Sequence, residues 1–415
     1  MSQEQHTLIS ERTSSGNEEP DYFDQALLLQ PKGTRQEYFE SQCLIEHPRL
    51  LEALEATVQA ICPPGAGASQ RRPGTMVLVI GPSRVGKTTL IHLLEKHLLV
   101  QAKARMQQDH HFIPFASITA AGPESGRFNW SKYYKAVLRQ LGNPFAEGKT
   151  ALIRAQHLQE ATETALLERK PTAIIVDEAH HLAKAASGRR LQDQLDHLKY
   201  FENLTGVSHV LVGTYEMRPF RKVNAQLACR SIDLHFPRYD ITKKEDCQVF
   251  RSVLWALQRQ LPVEEEPLLT ERHWEFLYAR SIGCIGLLKM HLCRALNLAL
   301  IEGAKTVTET HLRKTVASDV RVELALRNAL ESEAEFVERE DADERLLTLL
   351  GWPLSRASTS EKETTVLDKG EQTPMVSSPS KKRRPGKRAE GRDGIGKMPD
   401  GGDHNHLPDE VQAAG

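Results

Sequence analysis

The sequence predicts an α/β fold, a parallel sheet with helices on both faces followed by a smaller all-helical segment, and three observations predict it. The apolar run Val77-Leu78-Val79-Ile80 breaks at Gly81-Pro82 and re-emerges as a helix at Gly86-Lys87-Thr88-Thr89. A second apolar run, Ala173-Ile174-Ile175-Val176, ends in Asp177-Glu178, 90 residues after Lys87. Beyond about residue 240 strand-like runs stop and three- and four-residue apolar spacing takes over. Short strands that are apolar throughout belong to sheets covered on both faces.

The bulk properties bound the answer loosely. At 415 residues the chain has room for two or three domains. A content of 40% hydrophobic and 26% charged residues is that of an ordinary globular protein. The formal net charge of -1 excludes a global attraction to nucleic acid or membrane, so any DNA binding must come from a local patch. The six cysteines, Cys43, Cys62, Cys229, Cys247, Cys284 and Cys293, are scattered without a C-x-x-C pair. That pattern fits reduced thiols better than a disulfide framework or a zinc site. No signal peptide is recognisable and no apolar run approaches a membrane span, so the expected compartment is the cytoplasm, with no membrane partner.

The expected organisation is a flexible arm over 1–20, an N-terminal helical segment over 21–74, an α/β nucleotide-binding domain over 75–240, a helical lid and C-terminal helix over 241–340, and a disordered tail over 341–415. In the N-terminal segment His47-Pro48 reads as a helix start. Further strands are expected over Phe112–Ile118, His209–Val212 and Ser231–Phe236, with helices over Asn129–Leu141, Thr150–Arg169, Arg189–Leu204 and Pro219–Ala228. In the lid, Thr242-Lys243-Lys244-Glu245 reads as a capping box, and Thr270 and Thr308 as N-caps. A last helix is expected over Val320–Arg339. The tail carries a basic cluster of Lys381, Lys382, Arg383, Arg384, Lys387 and Arg388, a nuclear import signal in a eukaryote and otherwise a loose anchor on nucleic acid or an acidic partner.

The chemistry is carried by two motifs. Gly81-Pro82-Ser83-Arg84-Val85-Gly86-Lys87-Thr88 is G-x-x-x-x-G-K-[ST] with a strand before it and a helix after it. Its glycines let backbone N–H groups turn inward around a phosphate, and the helix N-terminus adds partial positive charge. Residues Gly81 to Thr89 are therefore the nucleotide-binding candidates, with Lys87 reaching the β- and γ-phosphates of ATP. Thr88 and Asp177 would ligate Mg²⁺, and Glu178 would activate the attacking water. The 90-residue separation exceeds one βαβ unit, so at least one more strand forms between the two motifs.

Asp177-Glu178-Ala179-His180 also spells a helicase box. Such helicases need a second motor domain and a Q-R-x-G-R motif, neither of which is recognisable in this sequence. His180-His181 is a poor metal pair, since adjacent helical residues diverge. Gly213-Thr214, at the tip of the fourth strand, is either a plain turn or a polar sensor beside the γ-phosphate. Arg230, at a helix–strand junction, is the candidate for an arginine presented to a neighbouring subunit's nucleotide, with Arg218, Arg221 and Arg238 as rivals. The α/β domain with its helical lid points to the P-loop AAA+ (ASCE) class.

Taken together, VLVIGPSRVGKTTL, AIIVDEAHHL, LKYFENLTGVSHVLVGTYEM and NAQLACR resemble the TniB/TnsC family of transposition ATPases over roughly residues 35–305. The resemblance implies an ATP- and Mg²⁺-dependent regulator that forms a homo-oligomer, ring or filament, on double-stranded DNA. It would connect a target-selection protein to an integrase-like transposase. The sequence departs from the common AAA+ sensor 2 pattern G-x-x-R, because Gly283-Cys284-Ile285-Gly286 has glycine where arginine is expected; Lys289 is a substitute one turn on. If an oligomer encloses DNA, Arg127 and Lys132 are the phosphate-contact candidates, with Lys184, Arg189 and Arg190 as rivals. The alternative is an AAA+ ATPase acting as a switch on protein partners without DNA.

Overall fold

The computed structural model describes residues 23–63, 74–124, 126–146, 155–184, 189–222, 231–336 and 342–351. The expected arm over 1–20, the basic cluster of the tail and Arg230 lie outside the described residues. The chain divides into two units, Met1–Glu340 and Asp341–Gly415.

The first unit is built on a five-stranded sheet in the order β2-β3-β4-β1-β5, with every recorded pairing parallel. The strands are β1 (Met76–Ile80), β2 (Phe115–Thr119), β3 (Ala173–Asp177), β4 (Ser208–Gly213) and β5 (Ser231–His235). β1 is buried along its whole length because helices cover both faces. Met76, Leu78 and Ile80 face one core and Val77 and Val79 the other, as the two-residue period of a strand requires. The strand made between the two motifs in sequence, β2, lies at the sheet edge; the one inserted between their strands in space is β4.

Fourteen α-helices are described in chain order. They are α1 (Lys32–Glu37), α2 (Pro48–Ile61), α3 (Lys87–Gln108), α4 (Trp130–Gln140), α5 (Ala155–Arg169), α6 (His180–Lys184) and α7 (Arg189–Thr205). After the sheet come α8 (Lys244–Arg259), α9 (Leu269–Arg272), α10 (Trp274–Ser281), α11 (Ile285–Glu302), α12 (Glu309–Lys314) and α13 (Asp319–Glu333), and in the second unit α14 (Ala342–Leu349). Helices α4, α5 and α7 bury one face of the sheet, and α2 and α3 the other. A third core joins α8 to α12 and takes in Phe39 and Cys43 from the N-terminal segment. Among the described residues no single helix is long and apolar enough to cross a membrane; the apolar pair α10 and α11 bends by 116°.

Local chemistry explains where the expected elements shifted. His47 caps α2, its ring accepting from the Leu50 amide, with Pro48 in the first turn where no N–H is needed. Asn129 caps α4 by accepting from the Lys132 amide. The capping box expected at Thr242 is absent, because Asp240 takes both the amide and the hydroxyl of Thr242 and the helix begins at Lys244 without a side-chain cap. Thr270 lies inside the short α9, its amide held by the Gln258 side chain. Thr308 does form a capping box, with His311 as the partner. The stretch expected as a helix from Pro219 is a 3₁₀ helix, Tyr215–Lys222, where it is described.

Phe39 is fully buried among the helices that follow the sheet, although more than two hundred residues separate it from them. Phe39→Ala should therefore lower unfolding stability by about 3–5 kcal/mol, the range for emptying a buried aromatic site. Denaturant titration of the full chain checks this; a loss under about 1 kcal/mol would show that the N-terminal segment is not part of that core.

Candidate nucleotide-binding site

Three parallel strands deliver their carboxyl ends to one edge of the sheet, the edge where open α/β folds place their ligands. From β1 comes the loop of residues 81–86, from β3 Asp177 and Glu178, and from β4 Gly213 and Thr214. The loop needs special backbone: Arg84 is left-handed at φ 65 and Gly86 sits at φ 122 before the first turn of α3.

Lys87 opens α3 and curls back over the loop. Its ammonium donates to the carbonyls of Gly81 at 3.1 Å and Pro82 at 2.7 Å. Burial pulls its pKa down to about 8, against the opposing pull of Glu178, Asp177 and Cys284. One Asp177 oxygen accepts the Glu178 amide at 2.7 Å, and burial raises this carboxyl above its ordinary range. Thr88 is exposed in the first turn of α3. A carboxylate and a hydroxyl beside a phosphate loop make an all-oxygen donor set, the type that Mg²⁺ takes. The residues thus fit both the nucleotide and the ion.

Glu178 is held in the left-handed region at φ 53. Its carboxylate lies 3.0 Å from His180 Nδ1; His180 Nε2 lies 3.6 Å from Glu216, which also pairs with Lys184 at 2.8 Å. The Thr214 hydroxyl donates to the same Glu216 oxygen at 3.4 Å. Thr214, Glu216, His180 and Glu178 therefore form one continuous polar chain. Contrary to the expected divergence, the rings of His180 and His181 lie with centroids 4.4 Å apart; among the described residues no three His, Cys, Asp or Glu gather as a metal site.

The loop is also touched from outside the sheet. A Cβ on Gly81 would stand 2.1 Å from the Phe236 carbonyl oxygen, and one on Gly286 would stand 2.4 Å from that of Arg84. The glycine that departs from the sensor 2 pattern is thus a point where α11 rests directly on the loop backbone, and no side chain fits there. Lys289 does not substitute for the missing arginine: its ammonium donates to the carbonyls of Glu40 at 2.9 Å and Cys43 at 2.6 Å. His47 and Phe236 approach Gly86, and His47 is hydrogen-bonded to Tyr239 at 2.8 Å. Burial lowers the His47 pKa to about 4, so the ring is neutral near pH 7. Sequence reading missed His47 and Phe236 as neighbours of the loop, since only tertiary packing brings them there.

The arginines separate clearly. Arg238 is buried and ion-paired with Glu333 at 3.2 Å. Arg218 pairs with Glu335 at 2.7 Å and Arg221 with Asp233 at 2.7 Å. Of the DNA candidates, Arg127 is exposed in a tight bridge with Glu124, and Lys132 is ion-paired with Glu124. Among their rivals, Lys184 is paired with Glu216 and Arg190 is exposed; the side chain of Arg189 lies outside the described residues.

Residues 70–220 match the family model of an AAA domain. Over these residues the fold is that of an AAA domain. That assignment agrees with the five-stranded parallel sheet and the helices on both its sides. No curated protein matches the chain. Among solved structures, it resembles the ORC2 protein of Aeropyrum pernix in ADPNP and ADP complexes, at 18% identity and TM-score 0.47, covering 69% of this chain and 73% of that one. Drosophila ORC bound to DNA gives 14% identity and TM-score 0.44, with 84% and 91% covered. Cdc6p of Pyrobaculum aerophilum gives 16% and 0.41, with 67% and 70% covered. At these TM-scores the likenesses do not bear on what this chain binds.

Two outcomes follow from the loop geometry. Gly286→Ala should push α11 off the Arg84 carbonyl and weaken binding of a fluorescent ATP analogue by about tenfold, roughly 1.4 kcal/mol; unchanged affinity would mean the contact is slack. Without nucleotide, the partly buried Lys87 ammonium destabilises the fold below about pH 8. Between there and the ordinary value of 10.5 the unfolded chain holds the extra proton, so the stability set by this residue rises with pH. Lys87→Met should therefore be more stable than the parent at pH 7 by thermal melting, with the gap narrowing above about pH 8 and closing only near the ordinary value of 10.5. A gap independent of pH would overturn that placement.

Proposed function

We propose that this chain is an ATP-hydrolysing regulator of DNA transposition that acts in the cytoplasm and oligomerises on duplex target DNA, connecting a target-selection protein to an integrase-like transposase. The observation that carries the ATPase reading is the convergence of Lys87, Asp177, Glu178 and Thr214 at one sheet edge. The transposition reading is supported by the runs LKYFENLTGVSHVLVGTYEM and NAQLACR.

In this reading the Lys87 ammonium exchanges its two loop carbonyls for the β- and γ-phosphates, while backbone N–H groups of residues 83–89 cradle them. Thr88 and Asp177 hold Mg²⁺, which when bound neutralises charge on the phosphates. Glu178 takes the proton of the attacking water, and Thr214 senses the γ-phosphate. Arg238, Arg218 and Arg221 are engaged within the chain, which favours Arg230 as the residue reaching a neighbour's nucleotide. Arg127 and Lys132 contact backbone phosphates, so binding is sequence-tolerant.

Glu178→Gln keeps the shape of the site and removes the proton acceptor. Turnover should fall by about 100-fold or more. ATP and Mg²⁺ should then trap long-lived oligomers on random-sequence duplex DNA that dissolve as salt rises. Sedimentation with ATP, with ADP and without DNA reads this out. Tight ATP binding with no DNA association at low salt would favour a switch acting on protein partners.

A further inference from the structure

After α13 the chain returns to the sheet and lays a short strap, Glu333–Phe336, over the 3₁₀ helix Tyr215–Lys222. Glu335 receives Arg218 at 2.7 Å on one oxygen and Lys222 at 2.8 Å on the other. Arg221 donates to the Glu335 carbonyl at 3.4 Å and stacks over the Phe336 ring, 4.3 Å from its centroid. That ring also stacks on His235, parallel within 14° at 4.3 Å, and meets Tyr215 at 5.7 Å. Behind the strap, Glu333 meets Arg238 at 3.2 Å and receives the Tyr215 hydroxyl at 3.4 Å.

Three cations within five residues, Arg218, Arg221 and Lys222, thus form a compact basic face in a chain of near-zero net charge. The described residues that cover it are acidic: three of the six residues 331–336 are Glu and none is basic. A cis polyanion on a basic face, held by half-exposed ion pairs, is a weak cover. Exposed pairs of this kind contribute little each and are screened by salt. A stronger polyanion competes for the same cations, and Arg forks match phosphate oxygens.

We propose that Arg218, Arg221 and Lys222 bind the phosphate backbone of duplex DNA, and that the acidic strap Glu333–Phe336 occupies this face in cis until DNA displaces it. This surface adds to Arg127 and Lys132 and rests on the reading that the chain associates with DNA. Two arginine forks and a lysine within five residues argue for a polyanion as the competing occupant, since a single carboxylate partner would engage only part of them. Glu333 is the anchor rather than the lid, because its partner Arg238 is buried.

The test compares duplex DNA binding, by fluorescence anisotropy with ATP and Mg²⁺, in the full chain, in Glu335→Gln and in Glu335→Gln with Phe336→Ala. Both variants leave the Glu333–Arg238 pair intact, and the conservative Glu335→Gln guards against loss of fold. Affinity for random duplex should rise about fivefold or more, with a steeper salt dependence by roughly one to three phosphate contacts. Adding Arg218→Ala, Arg221→Ala and Lys222→Ala should cancel the gain. Unchanged affinity in the strap variants, or a gain that survives removal of the three cations, overturns the proposal. If Glu178→Gln assembles on DNA while the strap variants change nothing, only the strap inference fails; if neither binds DNA at low salt, both readings fail.

Discussion

The arrangement of this protein depends on how closely other backbone can approach the loop of residues 81–86. Two glycines set that distance. Gly81 lets the chain leaving β5 lie against the first residue after β1, and Gly286 lets the start of α11 sit on the Arg84 carbonyl. With any side chain at either place the sheet and the helices that follow it would be wedged apart at the nucleotide site. Close-packed interiors do not yield smoothly to such insertions, so these contacts act as fixed stops rather than cushions. Lys87, on the same loop, is buried enough to bond loop carbonyls and lose much of its basicity.

Much of the sheet could be read from the residues because its strands are apolar on both faces and end abruptly in Gly-Pro, Asp-Glu or Gly-Thr. The motifs that carry the nucleotide chemistry are local, and local patterns survive in a linear reading. Lys87 and Thr88 stand seven residues or fewer from Gly81, and Asp177 and Glu178 are adjacent. What was illegible is what the third dimension adds. His47 lies beside Gly86 only because α2 packs on the sheet face that α3 also covers. The polar chain from Thr214 through Glu216 and His180 to Glu178 joins two strand ends that are 36 residues apart.

The misreadings have common physics. Thr242 looked like a cap because of its spacing from Glu245, but an aspartate two residues earlier offered both its amide and its hydroxyl a nearer acceptor. Lys289 looked like a free cation because helical spacing puts it one turn from Gly286, yet it closes onto the carbonyls of Glu40 and Cys43 in the N-terminal segment. In each case a side chain expected to serve one site was satisfied by a partner that sequence spacing does not display.

The chain passes between the sheet and the helices after it three times. It crosses first between Cys43 and His47, which join the core containing Phe39 to the helix α2. It crosses again between Phe236 and Lys244, braced by the 2.5 Å pair of Arg49 with Asp246. The last crossing is the return of α13, which places Phe336 against the sheet core. Two attachment points define an axis about which one body can turn on another; a third point off that axis removes the turn. Mechanically, then, the strap is a kickstand. With Phe336 seated against the sheet core, the end of α13 adds a brace beside the Glu333–Arg238 pair.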